Sequence, residues 1–598
     1  MFVWNHRDLN TEQLSAIKLE GNVFLVACPG SGKTRTLTYK IAHELSRLKL
    51  SKQFVVAITY THRAADEISE RIEQLGVDTT KLWIGTIHSF CLEWILKPYS
   101  IYHASLKNGF RVINSHDTEK IFENLCKPYS QQRITHWDCN FFFTINGYVL
   151  LCQDRRKHPV LHIILRQYFE TLLQSRQIDF ELILFYAYEL IKNNNSIGIL
   201  LSNLFNYILI DEYQDTKEIQ YNIIASILKA GKGKTKTFIV GDPNQAIYGS
   251  LGGYPITADD FKVMANIDIN EIELSQNYRS SARVVEYFGN FNVHETTIES
   301  ASRGKDYPSI ISFDNTITKS GLEDELTRII KFNIEVVGIP PQEICVLAPQ
   351  WVHLASMTRK LVASMPEYSF DGPGMVPFSR DIDNFWYKLS RIVLTEASPQ
   401  MYARRLRWAG EVLSALEDAG VNITKITNKS LLRDCNSVSS FETEGLLYLS
   451  DFFKRVFSKL GVEFHLIPSL KEHYDAFFES SQARIDRLRR DGAQFIGDIS
   501  TFRKVFENRS GITVSTIHGV KGAEYDTVIA YALLEDMVPH FNDPNGQDSA
   551  MKLLYVIGSR ARKNLHLISE RGRVNGIRNE YHATVKLAEC TFDYDVVP

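Results

Sequence analysis

The segment Val23-Phe24-Leu25-Val26-Ala27-Cys28-Pro29-Gly30-Ser31-Gly32-Lys33-Thr34 limits the folds open to this chain more than any other. Its apolar first half predicts a buried strand, its glycines a tight loop, and residues 33–45 a helix. A strand that turns through glycine straight into a helix belongs to a βαβ unit, whose helix must cross the sheet before the next parallel strand can pair. Further apolar runs closed by polar residues lie at 54–58, 207–210, 237–240, 344–347 and 527–530. Together they predict an α/β fold of parallel strands covered by helices on both faces.

The loop between the first strand and helix suits phosphate. Glycine lets backbone N–H groups approach a polyanion, and the helix N-terminus adds a favourable dipole. Ala27, Cys28, Pro29, Gly30, Ser31, Gly32, Lys33 and Thr34 fit the Walker A pattern with Ala in its first position, and Arg35 follows. Lys33 is expected on the β- and γ-phosphates of ATP and the Thr34 hydroxyl on Mg2+. A plain glycine turn would look similar, so the second half of the site decides. That half is Asp211-Glu212-Tyr213-Gln214-Asp215, directly after the apolar run 207–210. Asp211 at the strand end can hold Mg2+, and Glu212 can orient and deprotonate the attacking water. Acidic residues after a strand otherwise cap a helix or face solvent. Beside a Walker A loop they make a hydrolytic site.

From Leu9 to Leu567 the chain is similar to the superfamily 1 helicases of the UvrD, PcrA and Rep type, and Asp211-Glu212-Tyr213-Gln214 resembles that family's second motif. Leu9-Asn10-Thr11-Glu12-Gln13 resembles the adenine-reading element, which implies that Gln13 bonds the adenine edge in two places. Gly241-Asp242-Pro243-Asn244-Gln245-Ala246-Ile247-Tyr248 resembles the third motif, with Gln245 as γ-phosphate sensor. Gln276-Asn277-Tyr278-Arg279-Ser280 resembles the fourth, with Tyr278 stacked on adenine and Arg279 on the γ-phosphate. The segment 516–526 resembles the fifth motif and 554–562 the sixth, which implies Glu524 near the ribose and Arg560 as an arginine finger.

The resemblance also implies a strand-binding surface. Thr59-Tyr60-Thr61-His62-Arg63-Ala64-Ala65 looks like the family's first such element, with Tyr60, His62 and Arg63 in place of the usual Phe, Asn and Lys. An aromatic face for a base and a cation for phosphate are retained. Thr86 and His88 belong to the neighbouring element, and Tyr248, Thr516 and His518 complete the expected nucleic-acid contacts. A lone histidine such as His88 is otherwise a structural residue. Two departures stand out. After Tyr248 the family carries an aromatic and an arginine, where this chain has Gly249-Ser250-Leu251-Gly252-Gly253, so a stacking platform is missing. The charged stretch before the sixth motif is replaced by Asp548-Ser549-Ala550-Met551-Lys552.

The implied fold is two RecA-like P-loop motor domains with parallel sheets, each carrying a mainly helical insertion. At 598 residues the chain has room for about four compact parts. The expected layout is 1–90 with 206–290, insertion 91–205, 291–394 with 506–575, a short insertion 395–505, and a tail 576–598. Within the second insertion the charged run 484–491 fits either a phosphate-contacting helix or a solvated face. A net charge of -3 gives no global nucleic-acid signature, so DNA contact must be local. The eight cysteines show no metal or redox spacing, and no secretory signal or membrane span is apparent, which predicts a cytoplasmic protein with reduced thiols.

The expected activity is ATP-dependent translocation and unwinding, 3′ to 5′ as the family implies, on single-stranded DNA and single/double-strand junctions. The missing aromatic and the short second insertion favour an alternative: a DNA-stimulated ATPase that senses DNA ends and regulates a separate nuclease subunit, as in anti-phage defence of the Gabija type. With the sixth motif so close to the last residue, any cutting is expected to need another protein.

Overall fold

The structure, a computed structural model, describes residues 8–597 apart from 49, 51, 373–375, 379–380, 382–383, 491–495, 507–510, 544 and 577–578. The chain divides into two compact units, Met1–Leu322 with Ile517–Pro598, and Glu323–Thr516.

The first unit is built on a six-stranded sheet of β1 (Val23–Ala27), β2 (Phe54–Thr59), β3 (Leu82–Thr86), β4 (Phe205–Asp211), β5 (Lys236–Gly241) and β6 (Asn270–Leu274). The strands run in the order β6-β1-β5-β4-β2-β3, and every pairing is parallel. Side chains alternate between faces, as a pleated strand requires. Phe24, Val56, Ile58, Ile208, Ile210 and Ile239 enter one apolar cluster. Val23, Leu25, Val55, Ala57, Leu209 and Val240 enter another on the opposite face. Both faces are covered, which is why these strands read as nearly unbroken apolar runs.

Parallel strands in one sheet end on the same side. The phosphate loop after β1, Tyr60 after β2, Thr86 at the end of β3, Asp211 at the end of β4, Asp242 after β5 and Gln276 after β6 therefore gather along one edge, where open α/β sheets bind ligands. The same unit holds a parallel set of Ile311–Asp314, Ala561–Ile568 and Tyr525–Ala530, whose N-terminal ends carry Arg560 and Glu524.

Residues 91–205, expected to be mainly helical, also hold short strands. Helices Ser115–Cys126, His158–Gln174, Phe180–Asn193 and Asn195–Leu204 dominate, but Phe141–Thr144 and Gly147–Leu150 form an antiparallel hairpin, and Arg111–Val112 pairs with Gln177–Ile178. The hairpin reverses at Ile145-Asn146 with Gly147 at φ 122°, so the Asn-Gly pair marks the turn.

In the second unit, Ile344–Ala348, Ile512–Thr516 and Phe370–Asp371 pair in parallel. Its helices include Phe385–Val393, Tyr402–Asp418, Asn428–Asn436, Gly445–Leu460 and Pro468–Arg490. They enclose their own core around Trp386, whose indole N–H donates to the Leu470 carbonyl at 2.8 Å. Of the charged run 484–491, Arg484 donates to the Val376 carbonyl at 2.7 Å, Arg487, Arg489 and Arg490 are exposed, and position 491 lies outside the described residues.

Candidate nucleotide and nucleic-acid site

The helix Lys33–Arg47 starts from Gly32 in the left-handed region (φ 81°), where a side chain is strained. Gly30 (φ 69°) is held more tightly still: a Cβ there would lie 2.6 Å from the Arg279 Cβ. A Cβ on Gly32 would lie 2.8 Å from the Gln13 Nε2. Lys33 and Thr34 are half-buried over this loop, Lys33 donating to the Ala27 carbonyl at 3.4 Å, while Arg35 is exposed and faces Asp8 at 3.7 Å. Buried Ser31 bonds the Cys28 carbonyl at 2.8 Å. Burial first, and Asp242 second, push the Cys28 thiol up to about 12, so it is inert.

The fourth-motif segment grips the loop from the other side. Asn277, fully buried, donates to the Pro29 carbonyl at 2.7 Å and accepts from the Arg279 and Ser280 N–H groups at 2.9 and 2.8 Å. The Tyr278 N–H adds a bond to the Gly30 carbonyl at 2.9 Å. Phosphate loop and Arg279 thus form one rigid piece. Gln13 is spoken for at both ends of its amide, accepting from the Asn10 N–H at 3.1 Å and donating to the Ser31 carbonyl at 2.8 Å. The Tyr278 hydroxyl lies 2.5 Å from the Gln276 Oε1 and 2.8 Å from the Asn10 Nδ2, and its ring is 43% exposed.

Asp211 ends β4 and Glu212 follows it in the left-handed region (φ 52°), an arrangement that costs a non-glycine residue on the order of 1–3 kcal/mol and clusters at functional sites. Burial first, and the Glu212 charge second, push Asp211 up to about 8. Burial also opposes a charged Glu212, but Lys33, Lys521, Gln214 and Arg560 outweigh it and hold Glu212 below its usual range. Burial and the neighbouring Glu212 charge thus both disfavour a bare charge on Asp211, which a divalent cation beside it would relieve. The buried carboxylate and the Thr34 hydroxyl of the phosphate loop are the oxygen donors Mg2+ favours, so the donor set fits.

Beyond β5, Asp242 and Gln245 are buried, and the Gln245 amide donates to the Asp242 Oδ2 at 2.7 Å. The other end of that amide accepts from the Arg560 guanidinium at 3.0 Å. Arg560 is 1% exposed and also reaches the Ser559 hydroxyl at 2.9 Å and the Val556 carbonyl at 3.2 Å. Burial, then the Arg279 charge, lowers it to about 9. Arg279 donates to Glu524 at 2.5 Å and to the Ser559 carbonyl at 3.0 Å, and Glu524 also meets Arg562 at 3.3 Å.

Lys521 joins this chemistry to the expected strand-binding side. It donates to both Asp215 oxygens, at 2.7 and 2.6 Å, and to the Gln245 carbonyl at 2.7 Å, and it lies 5.1 Å from the centre of the Tyr248 ring. Tyr248 stacks on Tyr60 at 5.3 Å and meets His518 at 5.4 Å. Tyr60, Tyr248 and His518 thus share one surface. His62 opens helix His62–Gln74 behind its N-cap Thr61, while the Arg63 side chain lies outside the described residues. Thr86 caps the next turn, bonding Ser89, and His88 packs beside Phe180 at 5.7 Å. Thr516 ends a strand of the second unit. Burial first, then Lys217 and His62, lowers His88 to about 4, and burial lowers His518, so both rings are neutral at pH 7.

Sequence reasoning passed over Asn277, Asp242, Asp215 and Lys521, although all stand inside the motifs. The signal was the charged or amide residue at each motif's edge. Its partner lay in another motif.

Residues 9–263 match the family described as UvrD/REP helicase N-terminal domain, and residues 465–572 the UvrD-like helicase C-terminal domain. The chain is similar to a protein named ATP-dependent DNA helicase Rep from Buchnera aphidicola, at 24% identity over 93% of this chain and 94% of that one. It is similar to ATP-dependent DNA helicase PcrA from Staphylococcus epidermidis, at 23% identity over 95% of this chain and 84% of that one. A probable DNA helicase II homolog from Mycoplasma capricolum is 30% identical over 47% of this chain and 40% of its own length.

Proposed function

The chain belongs to the UvrD/REP helicase family, and from that premise we infer that it is an ATP-dependent DNA helicase that couples hydrolysis to movement along single-stranded DNA. The observation that carries the coupling is Lys521. It holds Asp215 and Gln245 behind the hydrolytic residues while lying against the Tyr248 ring.

In this reading the loop amides and Lys33 bind the phosphates, and Glu212 takes the proton from the attacking water. Asp211 and Thr34 would hold Mg2+, which when bound neutralises phosphate charge. Gln245 reports the γ-phosphate, and the Arg279 and Arg560 guanidinia balance charge as the bond to the leaving phosphate breaks. Tyr278 stacks on adenine, Glu524 lies near the ribose, and Gln13 reads the base edge after releasing one of its internal bonds. Tyr60, Thr61, His62, Arg63, Thr86, His88, Tyr248, Thr516 and His518 hold the strand, through rings and hydrogen bonds where the histidines are neutral. We propose 91–205 and 395–505 as helical insertions on two RecA-like motor domains, movement from 3′ to 5′, and a cytoplasmic location. Among the described residues no helix is long and apolar enough to cross a membrane.

The replacement of an aromatic and an arginine by Ser250 and Leu251 supports a second reading, a DNA-stimulated ATPase that regulates a partner nuclease. One assay separates the two: ATP hydrolysis with and without single-stranded DNA, beside unwinding of a duplex with a 3′ tail. Stimulated hydrolysis with unwinding is expected. Stimulation without unwinding selects the sensor, and hydrolysis indifferent to DNA sinks both.

A further inference from the structure

Two cysteines that the sequence sets 13 residues apart meet within residues 91–205: the Cys126 and Cys139 sulfurs lie 3.5 Å from each other in a buried site. Their spacing signals no redox chemistry, so it is the fold that pairs them. Cys126 is the last residue of helix Ser115–Cys126, and Cys139 the last of the turn His136–Cys139. That turn is firmly held. The Asp138 carboxylate accepts from the Thr135 N–H at 2.9 Å and from Lys157 at 2.8 Å, and the Cys139 sulfur lies 3.7 Å from the Thr135 carbonyl. A disulfide spans about 2.05 Å between sulfurs, so closing the gap takes a shift of about 1.5 Å.

Packed thiols are ordinary core neighbours unless one of them ionises. Burial, as the first cause, pushes up the Cys28, Cys91, Cys152, Cys435 and Cys590 thiols. Cys126 moves the other way. The hydrogen bond from Cys139, ahead of burial, holds it below the usual thiol range, and the same bond raises Cys139. Cys126 is thus the sulfur suited to attack and Cys139 the one suited to follow. The third thiol of the neighbourhood, Cys152, is turned to the Asp138 carboxylate at 3.6 Å, where burial and then the Asp138 charge oppose a thiolate. The path from solvent is short, since Cys126 is 5% exposed and adjoins the exposed Lys127.

We propose that Cys126 and Cys139 are a site of reversible oxidation, at which hydrogen peroxide converts the two thiols into a disulfide. The Cys126 sulfur attacks the peroxide and takes one oxygen as a sulfenic acid, while the O–O bond breaks and the other oxygen leaves as hydroxide, which the thiol proton turns into water. The Cys139 sulfur then attacks the Cys126 sulfur, the S–O bond breaks, and the second oxygen leaves as water with the Cys139 proton. Two electrons pass from the thiols to one peroxide, which becomes two waters. A small thiol in excess reverses the bond by exchange. The link closes the loop 127–138 and ties the end of helix Ser115–Cys126 to the turn that leads into the hairpin strand Phe141–Thr144. This chemistry calls on neither nucleotide nor DNA.

The test is peptide mapping of the full chain, reduced, freed of reductant, treated with hydrogen peroxide, and alkylated before digestion without reduction. Mass spectrometry should find the Cys126 and Cys139 peptides joined, and free again after dithiothreitol. Cys152→Ser should keep the link. Cys139→Ser, whose hydroxyl retains the donor to Cys126, should stop at a Cys126 sulfenic acid that dimedone traps. Both thiols left free at peroxide concentrations that fully oxidise a cysteine-containing model peptide would overturn the proposal, as would a link through Cys152 in place of the expected one. A sulfenic acid trapped at Cys139 in Cys126→Ser, with none at Cys126 in Cys139→Ser, would overturn the assignment of the attacking sulfur.

Discussion

Each side chain of the proposed hydrolytic site is defined by what it is bonded to. Arg560 is buried with its guanidinium satisfied by Gln245 and Ser559, so Arg560→Ala removes a charge and orphans the Gln245 acceptor. Steady-state ATPase should fall by about 10³ to 10⁵. Glu212→Gln should cost about 10² to 10⁴ in turnover, the scale of a lost general base, with fluorescent-nucleotide affinity kept. Titration of His88 has a defined sign. Its folded value, about 4, lies below the ordinary 6.5, so the unfolded chain binds the extra proton between those values. Stability should therefore fall as pH drops from 6.5 towards 4, and His88→Asn should flatten that slope in pH-dependent denaturation. Lys33 and Asp211 could be put forward from sequence because phosphate chemistry admits few residue types, whereas Arg560 came only with the resemblance. The internal bonds of Gln13 could not, because an amide declares neither its partner nor its direction.

Among the elements, the strands were the most legible. The apolar run 207–210 lies inside Phe205–Asp211, since burial on both faces enforces unbroken hydrophobicity. Short elements were the least. The hairpin Phe141–Thr144 and Gly147–Leu150 hid because its strands are brief and its aromatic residues also suit a helix. The phosphate loop yields a prediction at this scale. Gly30→Ala combines a left-handed backbone with a Cβ 2.6 Å from Arg279, so loop and arginine must part. Nucleotide affinity should drop by at least about tenfold, roughly the 1–3 kcal/mol of a strained position, as read by fluorescent-nucleotide titration.

For the molecule as a whole, charge and connectivity set the behaviour. With a net charge of -3 and neutral rings at Tyr60, Tyr248 and His518, strand binding should depend weakly on salt. Affinity should change by under about tenfold between 50 and 200 mM salt, corresponding to roughly two released counterions; a far steeper slope would contradict a ring-based grip. Pairings between distant motifs were the part sequence left dark, since similarity orders the motifs without saying which touch. Those pairings also govern when a working molecule can exist. Arg560 meets Gln245 across 315 residues, and Lys521 meets Asp215 across 306. At the usual 5–20 residues per second of synthesis, roughly 15–60 s separate the emergence of the two partners. Throughout that interval the nascent chain holds a phosphate loop without its distant arginine. A message cut short before the sixth motif would thus yield a nucleotide trap rather than a slower machine.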